Sequence, residues 1–195
     1  MSDQRHRILD VTLGLMAQKG VSGTSMRAVA AACGCNVATL YHYFPSKRDL
    51  CQAAIEHRLA GELFSAPFPE GLPGSVADRL GALLDHLFVG MAADDDLWRA
   101  LLSEAIHGDD DVLQPLLETS AAFEQALATW IEDLLPDAPG LHDTAVVRAL
   151  RHALYGVMLE HLPQPEGRRR ALAMRARELG EVFSRLTTEA KAQRP

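Results

Sequence analysis

Between Thr24 and Pro45 the chain carries two apolar repeats at helical spacing, each too short to be stable alone, and this pair restricts the fold more than any other feature. Met26, Val29, Ala30 and Cys33 fall at i, i+3, i+4 and i+7, and Val37, Leu40, Tyr41 and Phe44 repeat the spacing. Gly34 breaks the first run, Asn36 can cap the second, and Pro45 stops it. Thr24 or Ser25 can cap the first run by accepting a free helix-start N–H. Ahead of both, Ile8, Val11 and Leu15, flanked by Leu9, Thr12 and Met16, form a broad apolar face from about Arg5 to Lys19 that Gly20 ends. Two short helices joined by a tight glycine-containing turn are the outline of a helix-turn-helix. With the inner faces assigned, Ala38, Thr39 and His42, with part of Tyr41, remain outward on the third helix. They are small or hydrogen-bonding groups, suited to lie against base edges.

Ser46-Lys47-Arg48-Asp49 reads as a capping box opening a fourth helix, in which Cys51, Ile55 and Leu59 recur at i, i+4 and i+8. The stretch 64–74, with Pro67, Pro69, Gly71, Pro73 and Gly74, is the clear linker-like segment. We therefore expect a small domain over residues 1–50, linked through a helix at 46–64 to a larger helical domain over 65–195. Beyond the linker the helical period recurs near 75–92, 95–107, 112–135, 141–162 and 166–190, and no strand alternation appears. The expected fold class is all-α: an N-terminal three-helix helix-turn-helix domain followed by a second helical domain.

At 195 residues with 48% hydrophobic side chains, the chain can bury a core without disulfides or a structural metal. Cys33, Cys35 and Cys51 are too few and too tightly spaced for a secreted disulfide framework, which favours a reducing compartment. The first seven residues pass directly into the amphipathic pattern with no leader-like apolar block. The longest run without Asp, Glu, Lys or Arg, 28–46, is interrupted by Gly34, Asn36, Thr39, His42 and Pro45, so it is a poor membrane span. A cytoplasmic protein with no membrane partner is expected. The net charge of −7 argues against a wholly basic surface, yet it hides an asymmetry. Residues 1–50 hold six basic and three acidic side chains, and the remainder holds 13 basic and 23 acidic ones. Only the head is suited to meet a polyanion.

The run from Thr24 to Ala30, Thr-Ser-Met-Arg-Ala-Val-Ala, and the run from Gly34 to Leu50, Gly-Cys-Asn-Val-Ala-Thr-Leu-Tyr-His-Tyr-Phe-Pro-Ser-Lys-Arg-Asp-Leu, closely resemble the amino-terminal signature of the TetR family of bacterial transcriptional regulators. The Thr-Leu-Tyr-x-Tyr-Phe-x-x-Lys core at 39–47 is its most specific part, and Cys35 stands where the family usually has an aliphatic residue. The resemblance implies a homodimer on double-stranded DNA with a palindromic operator, its two third helices in successive major grooves. It makes Arg27, Val37, Ala38, Thr39 and His42 candidates for base edges or their surroundings, and Thr24, Tyr41, Tyr43 and Lys47 candidates for phosphate. Lys47 suits that role on physical grounds too, because a cation at a helix start opposes the helix dipole unless an external anion meets it. Arg5 and Arg7 can reach the flanking backbone as a basic arm, or remain solvated.

The resemblance also implies an effector pocket in the second domain and a dimer built on the last two helices, where Gly156 and Gly180 permit close approach or serve packing within one subunit. His86, Phe88, Met91, Trp98, Glu104, Phe123, Trp130, Tyr155, Met158 and His161 are candidates to line a mostly apolar pocket with a few polar anchors, for a small, mostly apolar effector. Cys33-Gly34-Cys35 reads as packing. The eight histidines form no helical ligand pair with a third ligand in reach, and the aspartates at 94–96 and 109–111 suit helix starts. No catalytic constellation stands out, so no enzyme, cofactor or metal is expected. The reading is a homodimeric repressor released from its operator by an effector. The alternatives are an activator or ligand-independent DNA-binding factor, and a small-molecule-binding or catalytic helical protein whose helix-turn-helix serves packing.

Overall fold

A computed structural model describes residues 2–61, 72–93, 95–107, 110–161 and 167–192. The described residues form α1 (Ser2–Lys19), α2 (Met26–Cys33), α3 (Val37–Tyr43), α4 (Lys47–Gly61), α5 (Val76–Ala92), α6 (Asp95–Ile106), α7 (Asp110–Leu134), a 3-10 turn at Pro139–His142, α8 (Thr144–His161) and α9 (Arg168–Ala192), with no strand among them. The all-α expectation holds. The expected linker lies outside the described residues up to position 71.

Compactness does not follow chain order. One unit takes Met1–Ser65 together with Asp94–Ala121, and the other takes Ala66–Ala93 together with Ala122–Pro195. In the first unit α1 to α4 bury Ile8, Leu9, Met16, Val29, Leu40, Phe44, Leu50 and Ile55 in one core, which Leu97 and Leu101 of α6 complete. Trp98 and Leu116 pack against the same core. Removing these side chains from water is the main stabilising term, and it explains why a head of such short helices takes in a sixth.

In the second unit Ser75 and Asp78 close a reciprocal capping box on α5. The helix then buries Leu80, Leu83, Leu84, Leu87 and Phe88. It crosses α9 closely because both sides of the crossing are small: a Cβ on Gly180 would lie 2.6 Å from the Ala77 carbonyl oxygen and 2.9 Å from the Gly81 nitrogen. Gly156 has nothing within 4 Å of its would-be Cβ. The two glycines that share one sequence reading thus differ, and Gly180 serves packing within one subunit.

Candidate nucleic-acid interface

The geometry of the reading head is set by its caps. The Ser25 hydroxyl accepts the Ala28 N–H at 3.1 Å and opens α2. Gly34 ends α2 in the left-handed region, φ 67°, where a residue without Cβ is unstrained. The Cys35 N–H reaches back to the Ala30 carbonyl at 3.0 Å, and Asn36 caps α3 by accepting the Ala38 N–H at 2.9 Å. Leu40, fully buried, then pins α3 to the core. The orientation of seven helical residues is therefore fixed at both ends and in the middle.

That orientation leaves Ala38, Tyr41 and His42 exposed, Tyr41 to 51%, with Thr39 half-buried beside them. Val37 is also half-buried and packs on the head's core, so it faces the protein as much as any ligand. Tyr43 combines two roles: its ring packs against the core, and its hydroxyl donates to Gln4 Oε1 at 3.3 Å. Arg27 is exposed on α2. Lys47 is the first residue of α4; ahead of it Ser46 accepts the Asp49 N–H at 3.1 Å and donates its hydroxyl to the Asp49 carboxylate. No carboxylate among the described residues pairs with Arg27 or Lys47.

Thr24 is turned inward. It is 1% exposed, its hydroxyl donates to the Gly20 carbonyl at 2.8 Å, and its N–H donates to the Val21 carbonyl. Both donors are committed within the turn, and the exposed cap is Ser25. Cys33 is buried in the core, where desolvation, reinforced by neighbouring Cys35, pushes its thiol above the ordinary range. No group of three or more His, Cys, Asp or Glu among the described residues could hold a metal ion.

Comparison with known proteins matches this region and extends beyond it. Residues 8–54 match the model of bacterial regulatory proteins of the tetR family. The transcriptional repressor KstR of Mycolicibacterium smegmatis is 45% identical over 148 residues, covering 74% of this chain and 71% of that protein. The chain belongs to the TetR family. The KstR repressor of Rhodococcus jostii is 28% identical over 134 residues, 69% of this chain, and the match spans only 62% of that repressor's length. A TetR-family transcriptional regulator from a Rhodococcus species superposes with a TM-score of 0.69 at 20% identity, over 93% of this chain and 99% of that one, and so shares its fold. The family is one of transcriptional regulators, not of enzymes.

In this TetR-family chain the ten residues considered for an effector pocket do not come together in one unit. Phe88, Met91, Phe123 and Met158 are buried in the second unit, where the Phe123 and Tyr155 rings stack at 5.8 Å. His86, Trp130, Tyr155 and His161 are half-buried there, and His161 Nδ1 lies 2.9 Å from the Val157 carbonyl oxygen of its own helix. Trp98 sits instead against the core of the head, and Glu104 lies on the same helix, its side chain outside the described residues.

A cleft of about 330 Å³ lies between α5 and α9, with a floor of Ala77, Gly81, Ala82 and Ala173 and a rim of Asp78, Asp85, Arg177 and Glu181. A wider cleft of about 810 Å³ continues along α9 past Arg170, Met174 and Glu178. None of the ten lines either cleft. The small residues of the floor were the available signal, but they come from helices about ninety positions apart, and sequence spacing cannot pair them.

Proposed function

We propose that this chain acts as a homodimeric repressor that reads a palindromic operator through α3 and is released by a small, mostly apolar effector bound in the second unit. The observation that carries the DNA reading is the outward face of α3. Ala38, Thr39 and His42 offer a methyl, a hydroxyl and an imidazole on a helix held rigid by its caps, and Tyr41 and Lys47 offer donors for phosphate, with the Tyr43 ring held beside them by its hydroxyl's bond to Gln4. No described helix is long and apolar enough to cross a membrane.

The second copy is supported by α8 and α9. Ala145, Ala149, His152, Gly156 and Leu159 are all exposed on α8, at alternating steps of four and three that make one seam. On α9, Met174 and Val182 are each 54% exposed. Arg170 and Arg177 precede Glu178 and Glu181 on the α9 cleft, so two antiparallel copies would set each basic half against an acidic one. The effector half of the reading rests on the apolar side chains of Phe88, Met91, Phe123 and Met158. Because these are buried, a ligand among them must favour a displaced arrangement, and it releases DNA only as far as it binds that state better.

Selection of the purified full chain on a randomised duplex library at near-physiological salt tests the reading. The expected result is an inverted repeat whose sequence changes with Thr39→Ala and with His42→Ala. A folded protein that enriches no sequence overturns it, and enrichment of a single unrepeated site removes the dimer.

A further inference from the structure

Gln4, Arg5 and His6 are consecutive on the first turn of α1, and they touch three different parts of the head. Gln4 Oε1 accepts the Tyr43 hydroxyl at 3.3 Å. The Arg5 guanidinium lies over the Phe44 ring, 5.4 Å from its centroid. The His6 ring stacks on that of His57 in α4, with centroids 5.1 Å apart and planes 13° from parallel. From Arg5 the contacts continue as a ladder into the reading helix: Phe44 is tilted against Tyr43 at 6.4 Å, and Tyr43 meets His42 edge-on at 5.7 Å.

Arg5 is exposed, and no carboxylate among the described residues pairs with it. Its position on the first turn of a long helix sets its charge against the positive end of the helix dipole. A cation held there by an aromatic face, with its N–H edge uncommitted, is arranged for an external anion. The guanidinium suits this because it can rest one face on a ring and still present a flat fork of donors to phosphate oxygens. Phe44 carries the Arg5 contact, Tyr43 is its chain neighbour, and Lys47 follows three residues later, so the arginine joins the edge already assigned to phosphate.

We propose that Arg5 is a phosphate ligand of the head, held on the edge of Tyr43 and Lys47 by the Phe44 ring, with Gln4 as the residue that fixes the Tyr43 ring by accepting its hydroxyl. The inference rests on the DNA-reading function above and adds a contact from α1, outside the helix-turn-helix. Chain reach makes this economical: the anchor comes from a helix that the core of Ile8, Leu9 and Met16 already fixes, so little further ordering is needed on binding.

The test measures the Kd of the full chain for a random-sequence duplex across a salt series, with melting temperature recorded for each variant. Arg5→Ala should weaken binding by about tenfold per head and flatten the slope of log Kd against log salt by about one per head, at an unchanged Tm. Arg5→Lys should restore the slope. Gln4→Ala should weaken binding less and leave the slope as it was, since no charge is lost. Arg5→Ala that binds with the wild-type affinity and slope, while Lys47→Ala alters both, overturns the inference and leaves the DNA reading standing. A lowered Tm with an unchanged slope assigns Arg5 to the fold of the head and also overturns it. A wild-type chain that binds no duplex at any salt overturns the DNA reading itself, and this inference with it.

Discussion

In residues 1–50, none of Arg5, Arg7, Lys19, Arg27, Lys47 and Arg48 pairs with a carboxylate among the described residues. In the second unit, Arg79, Arg148, Arg151, Arg169, Arg175 and Arg185 each face one, at 2.6 to 3.6 Å. The same kind of side chain is therefore used in two ways. In the second unit arginines tie helices together or sit beside their own helical neighbours, as where Arg148 and Arg151 share Glu124 across α7 and α8. In residues 1–50 they face no carboxylate among those described, and Arg5 lies over the Phe44 ring. Net charge alone shows a basic head on an acidic remainder; the pairing adds that these six arginines of the second unit are locally neutralised, whereas Arg170 and Arg177 on α9 are not paired among the described residues. Such a distribution of charge favours a polyanion at the head over the acidic remainder.

The largest effect expected from breaking this contrast involves no charge. If the second unit is held by close helix approach, Gly180→Ala must displace backbone, because its new methyl would meet the Ala77 carbonyl oxygen at 2.6 Å. Urea denaturation should show a net loss of about 2–3 kcal/mol, with the intrinsic gain of Ala over Gly already included. Gly156→Ala, whose methyl meets nothing within 4 Å, should raise stability by up to about 1 kcal/mol in the same assay. Equal stabilities for the two variants would mean that the α5–α9 crossing yields easily, and charge would become the stronger description of that unit.

A crossed pair of substitutions sharpens the contrast itself. Arg79 is 17% exposed and donates to the Leu134 carbonyl and to both oxygens of Asp137. Arg79→Ala should cost about 2 kcal/mol and lower Tm, with the DNA salt slope untouched. Lys47→Ala should do the reverse: affinity for any duplex falls about tenfold and the slope flattens, with Tm unchanged. A common response in both assays would abolish the division between structural and DNA-binding cations.

The reading head is legible in the sequence because each of its boundaries is written as a residue with special backbone chemistry. Gly34 supplies the left-handed turn, Asn36 the cap of α3, and Pro45 the stop. The choice between Thr24 and Ser25 is not legible, since either hydroxyl can cap; the path of the chain after Gly20 buries Thr24 and decides it. The placement of α6 is hidden for a different reason. Leu97 and Leu101 declare an apolar stripe, but a stripe carries no mark of its partner, and here the partner is the head. Trp98, on the same helix, packs against the head's core for the same reason. Gly156 and Gly180 read alike because a glycine announces permission for close approach, and only tertiary packing shows where it is used.

The smallest expected effect concerns acid. The Arg169 guanidinium donates to both Asp85 oxygens, at 2.6 and 2.9 Å, and holds that carboxyl below the usual carboxylate range against the opposing effect of burial. A carboxyl depressed in the folded state adds stability that is complete above its unfolded pKa and disappears as pH falls through its folded one. Asp85→Asn should therefore be less stable than the parent at neutral pH, by about 0.5 kcal/mol for a pair this open to solvent. The difference should narrow below about pH 4, where the unfolded carboxyl takes up its proton. Asp78, depressed by the Ser75 hydroxyl and N–H, titrates in the same direction, so the variant keeps part of the parent's acid sensitivity when Asp85 is removed. Denaturation curves for parent and variant from neutral pH downward check this. A constant offset between the two would show that Asp85 acts through packing on α5 and not through its charge, and the second unit would then owe less to its ion pairs than their geometry implies.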